Sequence, residues 1–556
     1  MIRVSVTESI SNRQPEKSRY FCLLPVLAIA VVFFAVSLLS RPVPGVNEPH
    51  YLCKARSFSD PTWCQRDFFL TSADAHYCFF WLVGPFTQVS SFAAVALTGR
   101  WIAACILAIG WTVLSRSIGL SARTSVESAG IFAFLTQLGS FSGEWLLDGF
   151  ESKVPAWGFG LTAIGLWIRG TLNVCPGWMT TAGIACGVGV MLHPVVGGWI
   201  AVCICMVWLF DWMLLRRSFR PTGALKPVIG ILAFSLATII VALPGLIPAV
   251  KMLLDRSLSN KERELATFIQ VFWRLKHHLD PTELTKFQWG YAGGLLALLI
   301  VTFMKTHKRG APDNPVSDGL HGATEASQTS CGRFLLFRFF VAAMMIAVAG
   351  VAIGWHFVNA RDMAGWQWRA GLLKFYPFRT FDAMLPIISS MFVATLLQQN
   401  LACRSRRIRA GLSLLCLGLP IAAATIQRDS VPPGYSAEQF TDWQAACAWI
   451  RTETDTTALF LTPRESFGFK WYAERAEYVC YKDCPQDAGG ILEWNRRLWW
   501  LHSWTLSSSS DGVYDRSDLE QLRAQTGCDY IITRILGPFE TAPDWTGKYW
   551  QIIKVP

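Results

Sequence analysis

The sequence predicts a polytopic α-helical membrane protein of about eleven spans with a small C-terminal α/β domain outside the membrane. Three observations predict it. Charged residues make up 16% of the 556 positions and apolar ones 52%, whereas soluble chains carry roughly 25% charged residues. The apolar residues gather in runs long enough to cross a hydrocarbon layer of ~30 Å. The segment from Gln427 to Pro556 has no such run and is polar and mixed in pattern. Disorder, a collagen-like chain, a small disulfide scaffold and a soluble enzyme are excluded.

Residues 1–20 form a basic cytoplasmic N-terminus. The first run, Phe21 to Leu39, is long enough to span and is not followed by a small-residue cleavage pattern, so it reads as an uncleaved span. Further runs follow at Ser91 to Leu114, Val126 to Ser142, Val154 to Ile168, Gly177 to Leu192 and Val195 to Leu215. The remaining ones are Pro227 to Val250, Gly290 to Met304, Phe334 to His356, Thr380 to Leu397 and Ala410 to Ile426. The transmembrane domain is thus 21–427, with a first outer loop at 40–90 and a C-terminal domain at 428–556.

The net charge of +11 is placed rather than spread. Basic clusters occur at Arg13, Lys17 and Arg19; at Arg116 and Arg123; at Arg216, Arg217 and Arg220; at Lys305, Lys308 and Arg309; and at Arg404, Arg406, Arg407 and Arg409. With the N-terminus inside, alternation of the spans puts every cluster on the cytoplasmic side, as the positive-inside rule requires. The protein is therefore expected in a membrane with its N-terminus in the cytoplasm and its C-terminal domain outside. A basic stripe interleaved with stacking aromatics is missing, which argues against nucleic acid. Lys305 to Cys331, rich in Gly, Pro, Ser and Thr, reads as a flexible loop.

In the C-terminal segment the pattern predicts helices at Phe440 to Thr452 and Asp518 to Thr526, and strands at Ala458 to Leu461 and Asp529 to Thr533. Of sixteen cysteines, Cys53 with Cys64 and Cys480 with Cys484 are close enough in sequence for two local disulfides in an oxidising exterior. No Cys/His spacing of a zinc site occurs.

Ionisable residues near a membrane are costly and mark function or an interface. Here they converge on the outer side. The first outer loop holds Glu48, His50, Asp67, Asp74 and His76; the GEWLLDGFESK turn holds Glu144, Asp148, Glu151 and Lys153. His193, His277, His278, Arg369, Lys374, Arg379 and Asp382 follow on the same side. Singly, each acid is at home as a solvated loop charge, His193 as a packed imidazole, and Arg369 and Arg379 as snorkelling side chains. Together they suit a transfer reaction. A carboxylate acts as general base on an acceptor, while Arg, Lys and His stabilise the phosphate leaving group of a lipid-linked donor. No GxxxxGKS loop is present, so the energy comes from an activated lipid or a gradient.

At NEPHYL, RDFF and ADAH in the first outer loop the chain resembles the GT-C superfamily of integral-membrane glycosyltransferases, with the protein O-mannosyltransferases and the aminoarabinose transferases of lipid A as nearest comparisons. The resemblance implies a GT-C-like fold and an acidic pair in that loop serving as catalytic base or metal site. Here the pair position reads Asn47-Glu48, and the second acidic position matches Glu144 or Asp148. On this reading Glu48 is the base, and Asp67 and Asp148 orient the acceptor or hold a divalent metal, Mg or Mn. Arg369, Arg379 and His278 engage the donor phosphate, and His50, Asp74, His76, Glu144, Lys153 and His193 bind substrate. The partners implied are a polyprenyl-phosphate sugar donor, a lipid, glycan or protein acceptor, and membrane lipids. The rivals are a flippase of a lipid-linked or anionic substrate and a catalytically silent scaffold. The tail from TPRESFGFKWYAERAEYVC onward resembles soluble C-terminal domains of bacterial membrane proteins, one of them a domain of unknown function.

Overall fold

Apolar runs bounded by Ser, Pro and Gly fold as helices whose backbone polar groups are satisfied internally. The computed structural model describes residues 23–215, 225–255, 257–308, 320–401, 404–428 and 431–556. It places a helix at each run. They are α1 (Leu23–Ser40), α4 (Phe92–Ser117), α5 (Ala122–Leu138), α6 (Lys153–Leu172), α7 (Pro176–Leu192) and α8 (Pro194–Leu215). The series continues with α9 (Leu225–Leu253), α12 (Lys286–Lys308), α13 (Leu320–Gly354), α15 (Arg379–Leu401) and α16 (Arg406–Ile426). Eight of these, all but α5, α6 and α7, are long and apolar enough to cross a membrane. Shorter helices lie between them at one end of the bundle: α2 (Glu48–Ser59), α3 (Tyr77–Val89), α10 (Asn260–Phe268), α11 (Lys276–Leu279) and α14 (Trp366–Leu373).

The expected basic clusters at 13–19 and 216–220, Arg309 and the N-terminal segment 1–20 lie outside the described residues. The expected loop from Lys305 to Cys331 is corrected at both ends, where α12 runs through Lys308 and α13 already starts at Leu320, while 309–319 lies outside the described residues. The stretch after Leu320 contains Ala, Glu and Gln, which accept a helix extended from an apolar run.

Helices α4 and α6 meet backbone to backbone. A Cβ on Gly110 would lie 2.1 Å from the Gly158 carbonyl oxygen, and such small residues give helices without a water-driven force their contact in a membrane. Packed against α5, α12 and α13, α15 is the most enclosed of the spanning helices, with 83% of its apolar window buried.

The C-terminal domain follows α16. It contains α17 (Ala437–Glu453), β1 (Leu459–Leu461), α18 (Phe469–Ala473), β2 (Ala476–Glu477), α19 (Ala488–Ser508), α20 (Arg516–Thr526), β3 (Tyr530–Thr533), β4 (Trp545–Thr546) and β5 (Gln551–Lys554). The sheet order is β2-β1-β3-β5-β4; β1 pairs in parallel with β2 and β3, and β5 pairs antiparallel with β3 and β4. The predicted helices and strands correspond to α17, α20, β1 and β3; α19 carries no clean periodicity and was not anticipated. Successive residues face opposite sides of the sheet. Ile532 and Ile552 therefore pack with Trp443 and Trp550, while Ile531 and Ile553 enter a core with Trp494, Trp504 and Leu522.

That second core is continuous with Leu52, Cys53, Phe69, Phe79 and Phe80 of the first loop, so loop and domain share one interior. A polar seam reinforces it. Lys470 of α18 bonds Glu477, lies 2.7 Å from Asp483 and 3.5 Å from Asp67. Asp483 also meets His50 of α2 at 2.8 Å. Asp67 is fully enclosed here, accepting from the Leu70 and Glu477 amides, so the carboxylate expected to orient an acceptor instead joins loop to domain. Cys53, Cys64, Cys480 and Cys484 are free thiols, filling space as small apolar groups rather than forming the two expected bridges.

Lys470→Met leaves three buried carboxylates without their ammonium, a change of about 3–5 kcal/mol for pairs of this kind. Hydrogen exchange in α2, α18 and β2 of the purified variant is expected to rise well above wild type, while α4 and α6 stay protected.

Candidate functional site

Between the helix ends and the C-terminal domain lies a cavity of about 1320 Å³. One wall is apolar and comes from spanning helices: Trp199 and Val202 of α8, Leu246 and Val250 of α9, Ile346 and Ile353 of α13. The other wall is polar. It comes from the first loop, the 139–152 segment, the α7–α8 junction, α11, the turn before α15 and the 465–486 region of the domain.

The 139–152 segment has no regular structure, and its amides need partners. Two carboxylates supply them. Asp382, in the first turn of α15, accepts from Phe141 N (2.6 Å), Ser142 N (2.8 Å) and Glu144 N (2.8 Å). Glu48, at the start of α2, accepts from Gly45 N (2.6 Å) and Phe150 N (2.8 Å) and pairs with Arg100 of α4 through both oxygens, at 2.7 and 2.8 Å. Its side chain is 0% exposed. Glu48, expected as the base, is therefore sealed off from the cavity and acts as a structural anion. The surrounding chain is tight: a Cβ at Gly45 would come within 2.6 Å of the Asp148 carbonyl.

Asp148 and Glu151 reach the cavity from this segment. Glu151 is engaged at both oxygens, accepting from Asn47 Nδ2 at 3.1 Å and pairing with Lys153 at 3.4 Å. Asp148 is 18% exposed and has a looser ion pair with Arg41 at 3.7 Å. Burial raises its pKa, which makes it a stronger proton acceptor than an ordinary carboxylate. Glu144 stands behind the wall, holding Arg379 at 3.0 Å and accepting from Trp157 Nε1 at 2.8 Å.

Arg379 opens α15, donates to His193 Nε2 at 3.0 Å, and lies 4.2 Å from the Tyr376 ring centroid. Tyr376 has φ +55°, a left-handed conformation costing a bulky residue about 1–3 kcal/mol. It is held there by the turn before α15, where Trp199 Nε1 donates to the Phe375 carbonyl at 2.6 Å. Arg274, Lys374 and Lys482 also line the cavity, and among the described residues no carboxylate lies within ion-pair distance of them. Burial lowers Lys482 to about 8.

The histidines line the cavity as neutral rings. Burial lowers His76 and His278 to about 3 and also lowers His50. The His76 ring lies against that of His193, tilted by 43° with centroids 4.7 Å apart, and its Nδ1 is buried without a hydrogen-bond partner. His278 Nδ1 donates to the Ser142 carbonyl at 2.5 Å, so its Nε2 is left as an acceptor. That suits a hydroxyl, not the phosphate expected there.

Two expected residues lie elsewhere. Asp74 pairs with Lys54 at 3.4 Å inside the first loop, and Arg369 of α14 lies over Trp368 and donates to the Trp355 carbonyl. Sequence reading missed Arg100, hidden in an apolar helix. Glu477, Cys480 and Asp483 bring ligand atoms within 4.8 Å of one another and can hold a metal ion. Lys470, however, already bonds both of those carboxylates, so an ion would have to displace a buried ammonium; the set fits the lysine rather than a metal.

A family model for a domain of unknown function, DUF6798, matches residues 441–501. No curated protein matches the chain. Among solved structures, an oligosaccharyltransferase of Archaeoglobus fulgidus complexed with Zn and sulfate is similar at 13% identity and a TM-score of 0.47, over 92% of this chain and 68% of that one. The AglB oligosaccharyltransferase of the same organism, with an inhibitory peptide and a dolichol-phosphate, is similar at 12% and 0.48, over 93% and 69%. ArnT of Cupriavidus metallidurans bound to undecaprenyl phosphate is similar at 12% and 0.38, over 96% and 97%.

Glu48→Gln leaves Arg100 buried without its charge, at a cost of about 3–5 kcal/mol. Its thermal midpoint in detergent is expected to fall sharply, and the Glu48→Gln/Arg100→Gln double variant to recover part of the loss; a stable but inactive single variant would return Glu48 to the chemistry. For Lys482, reductive ¹³C-methylation followed by NMR is expected to give a midpoint near 8, against about 10.4 for an ordinary lysine, with the charged form below that pH.

Proposed function

We propose that the protein is a membrane glycosyltransferase that moves a sugar from a polyprenyl-phosphate donor to a lipid, glycan or protein acceptor at the outer face of a bacterial cytoplasmic membrane. The observation that carries this reading is one cavity in which an apolar wall of spanning helices runs into a wall of buried cations and a partly open carboxylate. A lipid phosphate has this division: a chain for α8, α9 and α13, and an anion for Arg379 and Arg274.

Asp148 takes the proton from the acceptor hydroxyl or amide as the acceptor atom bonds to the anomeric carbon. The bond from that carbon to the phosphate oxygen breaks, and the charge on the leaving phosphate is met by Arg379 and Arg274. Such donors act strongly because the site excludes water and needs no reorganisation. His278 Nε2 offers an acceptor to sugar hydroxyls, and Glu144 holds the Arg379 fork in place. A flippase of the same lipid calls for ionisable groups at mid-membrane, whereas the charged groups of this cavity sit at one end of the spans.

Asp148→Asn is expected to lower kcat for transfer of radiolabelled sugar from a polyprenyl-phosphate donor by about 100-fold or more, with undecaprenyl phosphate still bound by the variant. Wild-type turnover in Asp148→Asn would overturn the role of Asp148, and binding without turnover in wild type would favour the flippase.

A further inference from the structure

Lys482 belongs to the C-terminal domain, inside the stretch matched by the domain of unknown function, yet its side chain lines the cavity. Its direction is fixed. Arg274 Nε donates to the Tyr481 carbonyl at 3.0 Å and Nη2 to the Lys482 carbonyl at 2.8 Å, with the guanidinium 5.0 Å from the Tyr481 ring centroid. The next residue, Asp483, is locked by Lys470 and His50. From this clamped turn Lys482 crosses the seam and donates to the carbonyl of Val46, next to Asn47.

The ammonium has three N–H groups, and Val46 takes one. The nearby acids are committed, Glu151 to Lys153 and Asp483 to Lys470. The wall as a whole repeats the imbalance. Seven lysines and arginines line the cavity against four acids, with Glu144 behind Arg379 as a fifth. A sugar phosphodiester of a lipid brings one negative charge.

We propose that Lys482, delivered by the C-terminal domain, binds a second phosphate-type anion beside the lipid phosphate held by Arg379 and Arg274. This rests on the lipid-phosphate reading above. The second anion comes either from the donor, as the distal phosphate of a lipid diphosphate, or from an anionic group on the acceptor. The desolvated ammonium of Lys482, held at the Val46 carbonyl, gains a counter-charge when that anion arrives. The role of the domain is then to complete the cavity rather than to act as a separate module.

The test uses the full-length protein in nanodiscs and three titrations: undecaprenyl phosphate, undecaprenyl diphosphate, and inorganic phosphate with undecaprenyl phosphate saturating. Wild type is expected to bind the diphosphate about tenfold more tightly than the monophosphate, or to bind inorganic phosphate on top of the monophosphate. The first result assigns the second anion to the donor, the second to the acceptor. Lys482→Met is expected to abolish the gain and Lys482→Arg to keep it. A gain unchanged in Lys482→Met, or no gain in wild type in either arm, would overturn the proposal. Failure to bind undecaprenyl phosphate at all is separately visible and would bring down the lipid-phosphate reading on which it stands.

Discussion

Two buried carboxylates, Glu48 and Asp382, hold the segment between α5 and α6 by its backbone, and the cavity depends on them. An irregular stretch packed among helices has amides that neither helix nor sheet can satisfy. Asp382 takes those at Phe141, Ser142 and Glu144, and Glu48 takes the one at Phe150. Each carboxylate is itself expensive to bury. The Arg100 guanidinium offsets the cost for Glu48, and three converging amides and a hydroxyl do so for Asp382. With its ends held in this way, the segment presents Glu144, Asp148 and Glu151 at fixed positions, the kind of support a reacting group needs.

The same economy of charge runs through the seam. Loop and domain share an apolar core, but apolar packing does not fix register, whereas Lys470 among three carboxylates does. Burial works against the Asp483 carboxylate, but Lys470 and the His50 hydrogen bond outweigh it and hold its pKa below the ordinary range. Locking Asp483 also locks its neighbour, so the order that joins the two parts of the protein aims Lys482. Binding geometry and domain attachment are therefore one problem, solved by the same few residues.

What could be read in the sequence follows from what each signal reports. Apolar runs report helices, and the eleven runs coincide with eleven helices, eight of them long and apolar enough to cross a membrane, because few folds other than helices satisfy a backbone in lipid. Convergence of charge on one end was legible for the same reason: His50, His76, Asp148, Lys153, His193, His278 and Arg379 all line the cavity. The roles within it were not. An acid in a loop looks the same whether it meets water, as Asp148 partly does, or a hidden arginine, as Glu48 does. Arg100 lies in an apolar helix with no local pattern to mark it, and its contact with Glu48 spans 52 residues. α19 was missed because its Trp and Arg residues are divided between the domain core, α10 and the surface, which leaves no single apolar stripe for periodicity to find.

Asn47 shows why the pair position and the charge of the site come apart. Its amide donates to Glu151 at 3.1 Å. A carboxylate in its place would face another carboxylate at hydrogen-bond distance, and two such groups cannot both ionise. An amide instead stabilises the Glu151 anion, which then holds Lys153. Negative charge that an acidic first-loop pair would bring from α2 is thus brought from the 139–152 segment, while the second member of the pair, Glu48, keeps the task of fixing that segment in place. The acid that reaches the cavity, Asp148, is thus carried by a different part of the chain from Glu48.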